Sequence, residues 1–232
     1  MIKLRRSADR GHADHGWLNA RHTFSFAEYV DPAYMGYSVL RVINDDVIAP
    51  GMGFGTHPHR NMEIVTYILE GALRHEDSMG NGSVIQAGDV QYMSAGRGVH
   101  HSEFNASASA PVHLLQIWIT PAQTGLQPQY GQQTILREEK QGRWRCIVSP
   151  DGREGSIAIR QDALILATQL DGDQRLEYTL HSERRGYVQV ARGAVSLNGI
   201  PLGAGDGAFI EHETQLTFSD ARDAEVLLFD LP

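Results

Sequence analysis

Two pairs of potential metal ligands, each separated by one residue, carry the chemistry of this chain. His57-Pro58-His59 follows a glycine-rich stretch (Gly51, Gly53, Gly55), and His101-Ser102-Glu103 follows another (Gly96, Gly98). In an extended strand, residues two apart face the same side with Cα atoms about 6.6 Å apart, so each pair can aim two side chains at one ion. Two such pairs on neighbouring strands make a site of His57, His59, His101 and Glu103. Imidazole and carboxylate together suit a divalent transition metal (Fe, Mn, Ni, Cu or Zn) rather than Ca or Mg. Four protein ligands leave an octahedral ion two positions for substrate, water or dioxygen.

The neighbours of these pairs read differently. His100 points away from His101 on a regular strand and is expected to be structural. Glu63, four residues after His59, shares its face on an unbroken strand and is expected as a hydrogen-bond partner behind the ligands rather than as a fifth ligand. His12, His15 and His22 have no ligand spacing and read as solvated or satisfied. Of the 11 histidines only His181 and His212 lie beyond residue 120, which puts the chemistry in the first half.

The elements that position these residues read as strands. Short β-rich runs recur at 37–43, 63–69, 113–119, 186–190 and 225–229, punctuated by Met79-Gly80-Asn81-Gly82, Ala87-Gly88-Asp89 and Ala204-Gly205-Asp206-Gly207. No segment has a long 3.6-residue periodicity. Glu70-Gly71-Ala72-Leu73 with Gln86-Ala87-Gly88-Asp89 overlays Arg192-Gly193-Ala194-Val195 with Gly203-Ala204-Gly205-Asp206, as a duplicated β-sandwich or barrel would. The Gln-rich stretch from Pro121 to Arg137 reads as the linker. The expected division is therefore 1–120, a linker at 121–137, and 138–232.

Composition narrows the function classes. With 41% hydrophobic and 21% charged residues, the 232-residue chain can bury a core, so disorder throughout is excluded. A net charge of −8 disfavours direct nucleic-acid binding, and no apolar run is long enough for a membrane helix. The lone Cys146, read as a small buried hydrophobe, cannot make an internal disulfide and fits a reducing cytoplasm.

Gly51, His57-Pro58-His59, Glu63 and Gly71 resemble the first cupin motif, and Gly88-Asp89, Gly96, His101 and Asn105 resemble the second. Ser94 stands where proline is usual. The stretches His57-Pro58-His59-Arg60, Met93-Ser94-Ala95-Gly96-Arg97-Gly98, His101-Ser102-Glu103, 22–26 and 40–46 are similar to one cupin family, the pirins, across residues 10 to 120. The resemblance implies an all-β bicupin: two jelly-roll-like β-barrels packed face to face, with metal in the first and a degenerate second. His181-Ser182-Glu183 copies the letters of the first-half motif at the wrong offset and reads as coincidence. The resemblance also assigns the metal to His57, His59, His101 and Glu103 rather than Glu63, with iron the first choice of ion.

The implied activity is a quercetin 2,3-dioxygenase acting on a flavonol and dioxygen, with Glu103 as ligand and candidate base. Phe54, Tyr92 and Phe104 stand near the motifs; core packing is their default role, and stacking on a planar substrate the alternative. A second reading is a monomeric, metal-bearing regulatory protein that senses redox state and binds a transcription factor or a metabolic enzyme. Sugar-phosphate chemistry is a third, weakened because only Arg60 and Arg97 lie near the motif to hold a phosphate.

Overall fold

Apolar and β-branched runs separated by glycine turns leave little room for helix, and the computed structural model, which describes residues 1–232, is almost entirely strand. It contains one four-residue α-helix, Arg137–Lys140, and no helix long and apolar enough to cross a membrane. The chain divides into two units, one formed by 11–134 and the other by 1–10 with 135–232.

After β1 (Ile2–Arg5), the first unit begins with β2 (Gly11–Asp14), β3 (Leu18–His22), β4 (Leu40–Ile48), β5 (Gly53–His59) and β6 (Glu63–Glu70). It continues with β7 (Ala72–Asp77), β8 (Gly82–Gln86), β9 (Asp89–Ser94), β10 (Val99–Asn105), β11 (Val112–Ile119) and β12 (Gln129–Thr134). A seven-stranded sheet in the order β12-β9-β6-β11-β4-β3-β2 is accompanied by a four-stranded sheet in the order β5-β10-β7-β8. Leu18, Ile48, Ile68 and Leu114 from the larger sheet meet Leu73 and Ile85 from the smaller one in an apolar core. β6 is buried along all but its last residue, as a central strand covered on both faces must be. β10 alternates, with Val99, His101, Glu103 and Asn105 buried and His100 exposed.

The second unit is a nine-stranded sheet to which β1 contributes. Its other strands are β13 (Arg145–Ser149), β14 (Ile157–Ala158), β15 (Leu164–Gly172), β16 (Leu176–Thr179), β17 (Arg185–Leu197), β18 (Ile200–Gly203), β19 (Gly207–Ile210) and β20 (Gln215–Leu231). All five β-rich runs lie wholly or largely on strands. The first begins late, because Ser38 turns at φ 51° before β4 starts. The overlaid Ala-Gly-Asp turns precede β9 and β19 respectively. Gly193, matched to the Gly71 turn, instead sits at φ 64° inside β17, where the register against β20 shifts.

The division differs from the expected 1–120, 121–137 and 138–232 at both ends. β1 pairs antiparallel with β19, so the first ten residues belong to the second unit. The Gln-rich stretch contains β12, which pairs with β9 from Gln129↔Ser94 to Thr134↔Asp89. An edge strand can be polar because one of its sides meets solvent, and for that reason its sequence reads as linker.

Asp206 ties the chain after β1 to the β18–β19 turn. Its carboxylate accepts from the Ser7 N–H (2.8 Å), the Gly203 N–H (3.1 Å) and Arg6 Nη1 (2.7 Å). Burial pushes its pKa up, but these three donors outweigh burial and hold the carboxyl below its ordinary value. Asp206→Ala is expected to destabilise the fold by about 1–3 kcal/mol at neutral pH. Because the folded pKa is depressed, this contribution is complete above the unfolded value of about 3.9 and is lost as pH falls through the lower folded value. Thermal melts of wild type and variant should therefore differ at pH 7 and converge in strong acid.

Candidate metal centre

The pairing of β10 between β5 and β7 builds the site. On one side His101 lies opposite His57 and Val99 opposite His59; on the other His101 lies opposite Asp77 and Glu103 opposite His75. Beyond His101 the register slips, so that Glu103 faces Phe54 and β5 spends one extra residue in a bulge. Gly53 permits the approach, since a Cβ there would come 2.1 Å from the Glu103 carbonyl oxygen.

His57, His59 and His101 each present a ring nitrogen within 4.8 Å of the other two. The Nε2 atoms of His57 and His101 are 2.9 Å apart. Burial, with the other histidines adding to it, pushes the pKa of His101 down to about 2; burial and His57 push that of His59 down to about 4. His57 donates from Nδ1 to the Gly55 carbonyl at 2.8 Å, so its Nε2 lone pair is free to face the cluster.

Glu103 falls outside the three-histidine set and forms a second cluster with His101 and His75. Its buried carboxylate accepts from Gln116 Nε2 at 3.1 and 3.3 Å, and Gln116 in turn accepts from Thr66 Oγ1 at 2.9 Å, which orients the amide. Burial pushes Glu103 up to about 7, with Gln116 opposing. Imidazoles converging beside a buried carboxylate that no ammonium or guanidinium neutralises form a donor set that fits a divalent transition metal.

The other singled-out residues take structural places. Glu63 is buried on β6, where Tyr92 Oη and Ser94 Oγ donate to it, so Ser94 supplies a hydroxyl where the motif usually has proline. His22 is buried against Asn44 Oδ1 at 2.8 Å, and His12 meets Asn19 Oδ1 at 3.2 Å. Arg60 donates to the Arg97 carbonyl, and Phe104 lies under the Arg74 guanidinium. In the second unit Cys146 is buried and reduced, and His181-Ser182-Glu183 lies in an exposed turn.

A pocket of about 610 Å³ is walled by Trp17, Phe26, Tyr29 and Phe54, with His12, His15 and Glu28 also lining it; none of His57, His59, His101 and Glu103 lines it. Phe54 meets His57 at 6.5 Å between ring centroids, and Phe26 reaches His59 through Trp118 at 5.4 and 4.9 Å. Sequence reasoning missed His75, Asp77 and Gln116. The first two are a further pair two residues apart, the only readable signal among them.

Residues 3–119 match the family model described as Pirin, and 146–231 match one described as Quercetinase C-terminal cupin domain. The chain belongs to the pirin family. It is 49% identical to a quercetin 2,3-dioxygenase of Escherichia coli K12 over all of this chain and 99% of that one. It is 42% identical to a pirin-like protein of Caulobacter vibrioides over 95% of each. Among solved structures it resembles a bacterial pirin from Escherichia coli in complex with nickel(II), with a TM-score of 0.95 and 48% identity over 100% of this chain and 99% of that one. The two cupin matches make this pirin an all-β bicupin.

Gln116→Leu in this pirin strands the Glu103 carboxylate in the core. Denaturant melts of the metal-free protein should show a loss of about 1–3 kcal/mol, larger than that of Thr66→Val, which only loosens the amide.

Proposed function

We propose that this chain is a metal-dependent dioxygenase that opens the heterocyclic ring of flavonols such as quercetin, with loss of carbon monoxide. The observation that carries the reading is the convergence of His57, His59 and His101, with the buried Glu103 two residues from His101 on the same strand. His57, His59, His101 and Glu103 are the residues that would hold the ion. A bound divalent cation supplies charge that stabilises a substrate oxyanion, and it offers open positions to oxygen ligands.

The protein's own groups do the rest. Burial holds His59 and His101 neutral, so their lone pairs are available as ligands. Glu103 is the candidate base: were its bond to the ion to loosen, its carboxylate would take the flavonol 3-hydroxyl proton onto an Oε atom, while Gln116 holds that carboxylate in place. Trp17, Phe26, Tyr29 and Phe54 present ring faces and edges to a planar ligand, and the pocket volume falls within the range of small-molecule sites. The name of the Escherichia coli quercetin 2,3-dioxygenase, 49% identical to this chain, supports the same substrate class.

The test is anaerobic reconstitution with Fe, Mn, Ni, Cu or Zn followed by oxygen uptake with quercetin. Iron is the ion the family resemblance implies, and nickel is included because the Escherichia coli relative takes it. Metal-dependent uptake should fall about 10²-fold or more in Glu103→Ala and His101→Ala. Phe26→Ala should raise KM roughly two- to tenfold through lost ring contact. Metal bound without turnover under every ion would overturn the dioxygenase reading in favour of a regulatory one.

A further inference from the structure

We propose that His75 and Asp77 are positioning residues for the metal centre: a buried Asp77–His75–His101 chain that fixes which nitrogen of His101 is free to meet the ion. The inference rests on the reading of His57, His59 and His101 as ligands.

The side chains of His75 and Asp77 are both 0% exposed, and β7 sets them opposite Glu103 and His101. Asp77 Oδ1 accepts from the Met79 N–H, the Asn81 N–H and Asn81 Nδ2, while Oδ2 accepts from Asn81 Nδ2 and lies 3.1 Å from His75 Nε2. A carboxylate surrounded by donors is ionised and can only accept, so the proton between it and His75 sits on His75 Nε2. With Nε2 donating to Asp77, Nδ1 is the one ring nitrogen of His75 left to accept. That Nδ1 faces His101 Nδ1 at 3.5 Å, the outer limit of a hydrogen bond, and Tyr130 stacks on His75 at 5.2 Å and 30° to hold the ring plane.

When His101 meets an ion through Nε2, its proton lies on Nδ1 and has His75 Nδ1 as acceptor. His101 donates from Nδ1 to His75, and its Nε2 is left as a lone pair toward the cluster, where His57 Nε2 lies 2.9 Å away. His57 achieves the same result more simply, by donating from Nδ1 to the Gly55 carbonyl. A backbone carbonyl is an acceptor by nature. His75 becomes one only because Asp77 fixes its tautomer. Such outer partners of a ligating histidine typically change metal affinity 10- to 100-fold. His75 is not itself assigned as a ligand, although it clusters with His101 and Glu103, because Asp77 engages one of its nitrogens and His101 the other.

The experiment measures Ni(II) and Co(II) affinity by chelator competition, alongside melts of the metal-free proteins and histidine ¹⁵N NMR. His75→Leu should bind metal about 10- to 100-fold more weakly with its metal-free fold retained. His75→Gln, which can accept from His101 and donate to Asp77, should recover wild-type affinity. Asp77→Asn should weaken binding without leaving a cavity, because an amide Nδ2 aimed at His75 moves that proton to Nδ1 and reverses the His101 tautomer. The ¹⁵N shifts report this reversal directly, and a merely structural role would not produce it. Wild-type affinity in both His75→Leu and Asp77→Asn would overturn the proposal. So would losses in His75→Gln as complete as those of His57→Ala, which would make His75 a ligand. If His57→Ala itself binds like wild type, the metal centre is misassigned and the relay falls with it.

Discussion

The register of β10 between β5 and β7 is the constraint on which the rest depends. Side chains alternate along a strand, so a slip of one residue against either neighbour would turn His101 and Glu103 out of the interior and His100 into it. The pairing His57↔His101 brings two ligands from distant parts of the sequence to adjacent rungs, and His101↔Asp77 adds a carboxylate from a third strand. The bulge in β5 then frees the Gly55 carbonyl to hold His57 from behind. Gly53 has no side chain because the backbone of β10 occupies that space.

This arrangement burdens the metal-free protein electrostatically. Three imidazoles crowd together, and a carboxylate lies buried against a single amide. Removing such groups from water is unfavourable unless they are paired, and a divalent cation relieves both the lone-pair crowding and the isolated negative charge. The apolar core of Leu18, Ile48, Ile68, Leu73, Ile85 and Leu114 supplies the stability against which this cost is carried.

The second unit has a different interior. Its interior polar groups are joined to each other instead: Lys140 Nζ lies 2.7 Å from Glu225 Oε1, with Arg192 also near the carboxylate. A buried pair of this kind satisfies itself and leaves nothing to bind a cation. Nor do its histidines converge; His181 sits in a turn outside any strand.

The sequence by itself determined the strand class, because period-two runs and glycine turns admit little else. It also put His57 with His59, and His101 with Glu103, on one face of a strand each, because two-residue spacing does so whatever the sheet order; their convergence needed β5 beside β10. Tertiary structure alone decided which strands are neighbours, and with that the rest of the site. Glu103 was legible as a carboxylate on the same strand face as His101, but its grouping with His101 and His75 rather than with the full histidine set follows from the slipped register. His75 and Asp77 had the same spacing as the ligands, yet nothing local says that β7 lies against β10. Gln116 comes from β11 in the other sheet, and its meeting with Glu103 is a packing event with no trace in either segment. The unit boundary escaped for the same reason: the pairing of β1 with β19 joins residues about two hundred positions apart, a contact that no local pattern encodes.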